Sequence, residues 1–162
     1  MMKFAILSFT CLYLLLNTQI LFAQCTSTGS NLATSYSSNT SNKGIMFDIT
    51  ATSTMTVFCF EANLPLLSLG SYAIYYKSGT YVGSEIIPAN WTYAGTSSSI
   101  LSLGINSPTP IDVPLYVIIP AGQTYSFYIG ATNPATSTGF LTTTSSGYTT
   151  LASNTTFSIS GG

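Results

Sequence analysis

The chain contains no histidine and no arginine, and only seven of its 162 residues carry a formal charge. The charged fraction is 4%, where an ordinary globular protein has roughly a quarter. Without arginine, and with a net charge of -1, the chain lacks the cationic footprint by which proteins hold nucleic acid phosphates. Without histidine it lacks the commonest general base, the commonest zinc ligand and the usual partner of a nucleophilic serine. Cysteine is scarce as well, with Cys11, Cys25 and Cys59 the whole stock. Isolated cysteines without histidine make no metal-binding motif. What replaces charge is hydroxyl: 24 serines and 25 threonines. The 46% apolar and 13% aromatic content supplies enough material for a core and argues against disorder. The length suits one domain.

Met1-Met2-Lys3 gives a short positive start, Phe4 to Leu16 an apolar run, and Leu21-Phe22-Ala23 a small residue at a cleavage site. That is the layout of a Sec-type secretory signal peptide over 1–23, cut before Gln24. An uncleaved membrane anchor competes with it, weakened by the interruption at Asn17, Thr18 and Gln19. A lipid-modified Cys25 is a further option, but Gln24 stands where that modification needs a small residue. Export predicts a secreted or cell-surface protein with no transmembrane span after cleavage. It leaves Lys43 and Lys77 against Asp48, Glu61, Glu85 and Asp112, a net charge of -2. In an oxidising compartment Cys25 and Cys59 can form one bridge, tying the new N-terminus to a core strand. The alternative is a buried thiol at Cys59 and a frayed end at Cys25.

After residue 24 there is no sustained helical period. A Ser/Thr/Asn-rich lead-in over 24–42 precedes a β-sandwich module over 43–162. Ile45, Phe47 and Ile49 alternate with Met46, Asp48 and Thr50, predicting a strand with one buried face. Phe58, Phe60, Ala62 and Leu64 predict a second, ended by Pro65. Tyr72, Ile74 and Tyr76 predict a third, with Tyr75 on its other face. A long excursion over 81–94 returns into a short strand at 91–95, and another short strand covers 100–105. The stretch 111–119 is extended but broken by Pro114, and Pro120 to Gln123 reads as a turn with Gly122 at positive φ. Tyr125, Phe127 and Ile129 alternate with Ser126, Tyr128 and Gly130, and two weaker strands follow at 140–144 and 155–159. Eight or nine short strands at intervals of roughly ten residues predict an all-β fold, an antiparallel sandwich of jelly-roll type, behind an N-terminal signal helix.

Gly44-Ile45-Met46-Phe47-Asp48-Ile49-Thr50-Ala51 resembles the opening of an extracellular β-sandwich module found in large secreted and surface proteins of Bacteroidetes-type bacteria. The resemblance runs through Phe60 to Leu64, Ile74 to Glu85, Trp91 and Ile119 to Ile129, covering about residues 39 to 132. It implies a non-catalytic part of an exported protein. Such modules are often followed by a sorting domain of the type IX secretion route and end in a Trp-Asn-Gly-like strand. This sequence has neither ending, which favours a chain cut short at its C-terminus. The family brings no catalytic set.

Enzyme chemistry here would have to use carboxylates. Asp48 and Glu61, on neighbouring predicted strands, are the pair a glycosidase would need, although they read more simply as exposed sheet residues. A structural calcium ion would draw on Asp48, Glu61 and Glu85, with no acidic loop motif to support it. No other cofactor is indicated. Trp91, Tyr93, Tyr81 and Tyr75 gather around the excursion and its adjoining strands, and exposed rings of this kind stack on the C–H faces of sugars. Trp91 reads more simply as a core anchor, as single tryptophans in sandwiches commonly do. The expectation is therefore a secreted, non-catalytic, adhesive module whose partners are glycans or other surface proteins. Its alternatives are a structural subunit that self-associates through an open sheet edge into a filament or stalk, and, third, a glycosidase.

Overall fold

The computed structural model describes residues 25, 31–35, 40–65, 69–132, 139–142 and 147–162. The signal segment over 1–23 lies outside them. Among the described residues fourteen strands form and no α-helix does, the one helical turn being the 3-10 turn Pro88–Asn90. No helix among them is long and apolar enough to cross a membrane.

The centre of the molecule is built where period-two alternation is strongest. β2 (Gly44–Ala51), β6 (Tyr72–Ser78) and β11 (Thr124–Ala131) are the longest strands. β11 lies between the other two, pairing antiparallel with both, from Phe127↔Phe47 on one side to Phe127↔Tyr76 on the other. β7 (Thr92–Thr96) extends the sheet beyond β6. β14 (Phe157–Gly161) and then β13 (Thr149–Ser153) extend it beyond β2. The result is a six-stranded sheet in the order β13-β14-β2-β11-β6-β7.

The opposite layer is made of short antiparallel ladders. β3 (Met55–Val57) pairs with β10 (Val117–Ile119), and β4 (Phe60–Ala62) with β9 (Thr109–Ile111). β5 (Leu69–Gly70) pairs with β8 (Ile100–Leu101), and β1 (Thr40–Asn42) with β12 (Phe140–Thr142). Backbone bonds stitch the ladders together, Leu115 N–H to Phe58 O and Leu141 N–H to Asn63 O. The fold is thus the antiparallel sandwich that the alternation predicts. The strand count is higher because proline and bulges divide runs that read as continuous. Pro114 separates β9 from β10, and the run from Val57 to Leu64 breaks at Phe58 and Cys59.

That break corrects one core assignment. Val57 is buried, but Phe58 is 61% exposed and Phe60 turns back inward. One extra residue at the break moves Phe58 to the outer face. The kink also holds the disulfide joining Cys59 to Cys25, whose Cα atoms are 5.7 Å apart. The final residues of the lead-in pair with β12 as β1, so they belong to the sandwich.

Between the layers sits an aromatic cluster. Phe127, fully buried, stacks on Phe47 at 5.9 Å and takes the edge of Phe60 at 4.9 Å. Phe60 thereby joins the two layers across the core. Tyr72 and Phe140 form a second such contact at 4.9 Å. Replacing Phe127 by Ala should lower the unfolding free energy by about 3–5 kcal/mol, measured by urea denaturation. A loss below about 1 kcal/mol would place the core elsewhere.

Candidate functional site

On the outer face of the six-stranded sheet, the side chains fall into cross-strand rungs of different chemistry. One rung runs Thr96, Ala73, Gly130, Gly44 across β7, β6, β11 and β2. The next runs Tyr93, Tyr75, Tyr128, Met46. The third runs Lys77, Ser126, Asp48, Ser160 across β6, β11, β2 and β14. A strip of small residues, a strip of tyrosine and a polar strip therefore lie side by side.

The polar strip is closed over. The turn after β6 is held by Lys77 Nζ donating to Thr80 O at 2.6 Å, with Gly79 at φ 78°. It starts the excursion, which folds back on itself through Ser84 N–H to Tyr81 O and Trp91 Nε1 to Ser84 O at 3.0 Å. Asp48 lies beneath it with no exposed surface. Its Oδ1 accepts from Tyr81 N–H at 3.1 Å and from the Ser126 hydroxyl at 2.7 Å, and its Oδ2 from the Tyr148 hydroxyl. All three donors are neutral, and each lies at least 33 residues away in sequence. Burial, then the bond and the charge of Asp48, push the Tyr148 phenol up to about 12 from its ordinary 10.0. Burial also raises Tyr81, whose hydroxyl donates to Gly162 O. Asp48 is a fastener for the excursion and for Tyr148, the residue before β13.

The tyrosine strip stays open. A Cβ added at Gly44 would stand 2.6 Å from Tyr128 Cε2, and one at Gly130 would be nearer still to its hydroxyl and Cζ. The phenol tip therefore lies over both glycines, one ring edge beside each strand. This lays the ring flat along the sheet, in space that only glycine leaves. Tyr75 lies beside it, ring centres 6.0 Å apart and planes within 26°. Tyr93, 57% exposed, stands at 56° to Tyr75 with centres 5.4 Å apart, and its hydroxyl bonds to Thr96 Oγ1 at 2.7 Å. Trp91 turns an edge to Tyr128 at 6.3 Å. The two flat rings make a floor, and the two tilted rings make walls. Beside them, over Ala73 and Gly130, runs an open groove of about 590 Å³ that also touches Thr96 and Thr132.

No family model matches this chain, and no curated protein is similar to it.

Of the four aromatic residues proposed from sequence, Tyr75, Tyr93 and Trp91 border this platform. Tyr81 does not. It is 6% exposed and packs against Tyr148 at 5.9 Å, under the excursion rather than on it. Asp48 and Glu61, expected on neighbouring strands, belong to different layers, Asp48 buried on β2 and Glu61 exposed on β4 opposite Pro110. Glu85 is exposed on the excursion. Among the described residues no group of three or more acidic or cysteine side chains is placed to hold a metal ion.

Tyr128, Gly130 and Gly44, legible in the sequence only as strand residues, are the members of the platform that the sequence pattern does not point to. Part of the signal was present, since the alternation that sends Phe127 inward sends Tyr128 outward beside Tyr75. What it lacked was the register that puts two glycines under the ring.

Two outcomes follow for the Asp48 cluster. Asp48→Ala leaves the buried Tyr81 N–H without its acceptor, while the Ser126 hydroxyl keeps Gly79 O, a loss of about 1–3 kcal/mol, read by urea denaturation. A raised folded-state pKa favours the protonated phenol, so the Tyr148 contribution is complete below pH 10 and is lost between 10 and about 12. Ultraviolet titration of tyrosinate should show late phenols, among which Asp48→Asn brings Tyr148 down part of the way, burial being the larger cause. A titration unchanged by Asp48→Asn would dissociate the two groups.

Proposed function

We propose that the chain is a secreted or cell-surface, non-catalytic β-sandwich module that binds carbohydrate on the outer face of its six-stranded sheet. The observation that carries this reading is the pair of flat, adjoining rings of Tyr75 and Tyr128, walled by Tyr93 and Trp91 and open to a groove over small residues. Aromatic faces at a wet surface bury apolar area without giving up the polar rim that orients a ligand. The C–H face of a pyranose supplies the complementary apolar surface, and the threonine and tyrosine hydroxyls at the groove suit its ring hydroxyls.

Export is supported by the signal layout of residues 1–23 and by the Cys25–Cys59 disulfide, a bond that persists in oxidising compartments. The resemblance to extracellular bacterial modules points the same way. A non-catalytic role is favoured by the lining of the groove, in which the ionisable groups are tyrosine phenols. The carboxylate pair that glycoside hydrolysis would use is divided between two layers.

A second reading, self-association as an adhesive surface subunit, is favoured by the outer face of the opposite layer. There Phe58 and Tyr116, 74% exposed, meet at 5.8 Å beside the exposed Ile118. Exposed apolar clusters of this kind are common at contacts between proteins. Concentration-dependent sedimentation that Tyr116→Ser abolishes would support it, and a monomer at all concentrations would remove it.

The test of the leading reading is a glycan array probed with the protein lacking residues 1–23. Binding is expected to fall about tenfold or more in Tyr75→Ala and in Tyr128→Ala, with less effect from Trp91→Ala. Tyr81→Phe, at a buried position, should bind as the parent does. Absence of binding to every glycan, or binding indifferent to both tyrosine substitutions, would reject it.

A further inference from the structure

The geometry points to a narrower ligand: we propose that the platform takes an uncharged glycan chain with equatorial linkages, laid across the strands along the tyrosine rung. This rests on the carbohydrate reading above and specifies its ligand class and orientation.

Charge decides the first part. The groove is lined by Ala73, Tyr75, Tyr93, Tyr128 and Gly130 with the hydroxyls of Thr96 and Thr132, and by no cation. Lys77, on the polar rung, is engaged with Thr80 O under the start of the excursion. A carboxylate or sulfate drawn into this groove would lose water without gaining a counter-charge, a large penalty. A neutral hydroxyl loses little, because threonine and phenol oxygens replace its water partners.

Shape decides the second. The ring planes of Tyr75 and Tyr128 lie within 26° of parallel with centres 6.0 Å apart, and Tyr93 continues the row with its centre 5.4 Å from that of Tyr75. These spacings resemble the advance of one equatorially linked pyranose per unit. Such a chain is an extended ribbon whose successive rings present flat C–H faces, so it can cover neighbouring phenols in turn. An axially linked chain coils and would meet one ring at a time. The row runs perpendicular to the strands, since its members are cross-strand partners. Tyr93, tilted at 56° and carrying its bond to Thr96, closes one end.

The flatness of Tyr128 depends on Gly130. Because the nearest atoms a Cβ there would meet belong to the far end of the Tyr128 side chain, Gly130→Ala should tip the ring while leaving the ladder intact. This separates loss of the platform from loss of the fold.

The experiment is calorimetric titration of the protein lacking residues 1–23 with cello-oligosaccharides of two to six units, maltohexaose and an oligogalacturonate, at low and high salt. Binding of the cello-oligosaccharides is expected, strengthening about tenfold or more from the disaccharide to the tetrasaccharide and unaffected by salt. Maltohexaose and the oligogalacturonate should bind at least tenfold more weakly. Gly130→Ala should weaken the cello-oligosaccharide about tenfold with an unchanged melting temperature, and Phe58→Ala, on the opposite layer, should change nothing. Preference for oligogalacturonate, or equal binding of maltohexaose, would overturn the ligand class and leave the carbohydrate reading standing. Failure of all three sugars together with a blank glycan array would overturn both.

Discussion

The antiparallel register of β11 against β2 and β6 governs the molecule. It fixes Phe127 between Phe47 and Tyr76 on one face and Tyr128 between Met46 and Tyr75 on the other. A slip of one residue would exchange the two faces, sending Phe127 to solvent and Tyr128 into the core. Stability and the outer tyrosine strip are therefore set by the same hydrogen-bonded ladder. The inner face is locked by Phe60 from the opposite layer, which touches both Phe47 and Phe127. With that face locked, the outer rungs have no freedom to move apart.

The scarcity of charge has a structural counterpart inside the molecule as well as outside. Ser84, Ser97, Ser102, Thr109 and Ser126 are all buried. Ser97 Oγ accepts from Tyr72 N–H, and the Ser102 hydroxyl donates to Leu64 O while accepting from Gly104 N–H. Small hydroxyls thus satisfy backbone groups where loops cross the core, at far lower desolvation cost than a charged group. Among the described residues no buried side-chain polar atom lacks a partner. Asp48 is the exception in charge but follows the same pattern, its oxygens receiving a backbone N–H and two hydroxyls.

The long strands were legible because they obey a period of two: Ile45-Phe47-Ile49, Tyr72-Ile74-Tyr76 and Tyr125-Phe127-Ile129 all turn inward. The pairs β5 and β8 are two residues each, too short for any period to declare itself. β13, an edge strand with most residues exposed, has no buried stripe to read. Phe58 was misplaced because one residue at a kink inverts the alternation. The aromatic residues divide in the same way. The outer placement of Tyr75 and Tyr93 was legible from position, but the burial of Tyr81 depends on chain segments distant in sequence, and the flat setting of Tyr128 depends on glycines of two paired strands. Local pattern carries neither.

The most direct measurement is an aromatic-region nuclear magnetic resonance titration of the protein with cellohexaose, with the tyrosine ring signals assigned. The expected result is saturable shifts of the Tyr75, Tyr93 and Tyr128 rings, with Tyr72, Tyr81 and Tyr116 unmoved. Shifts centred on Tyr116 and Phe58, or none on the outer rung while sugar is bound, would contradict the placement of the contact surface on this face of the sheet.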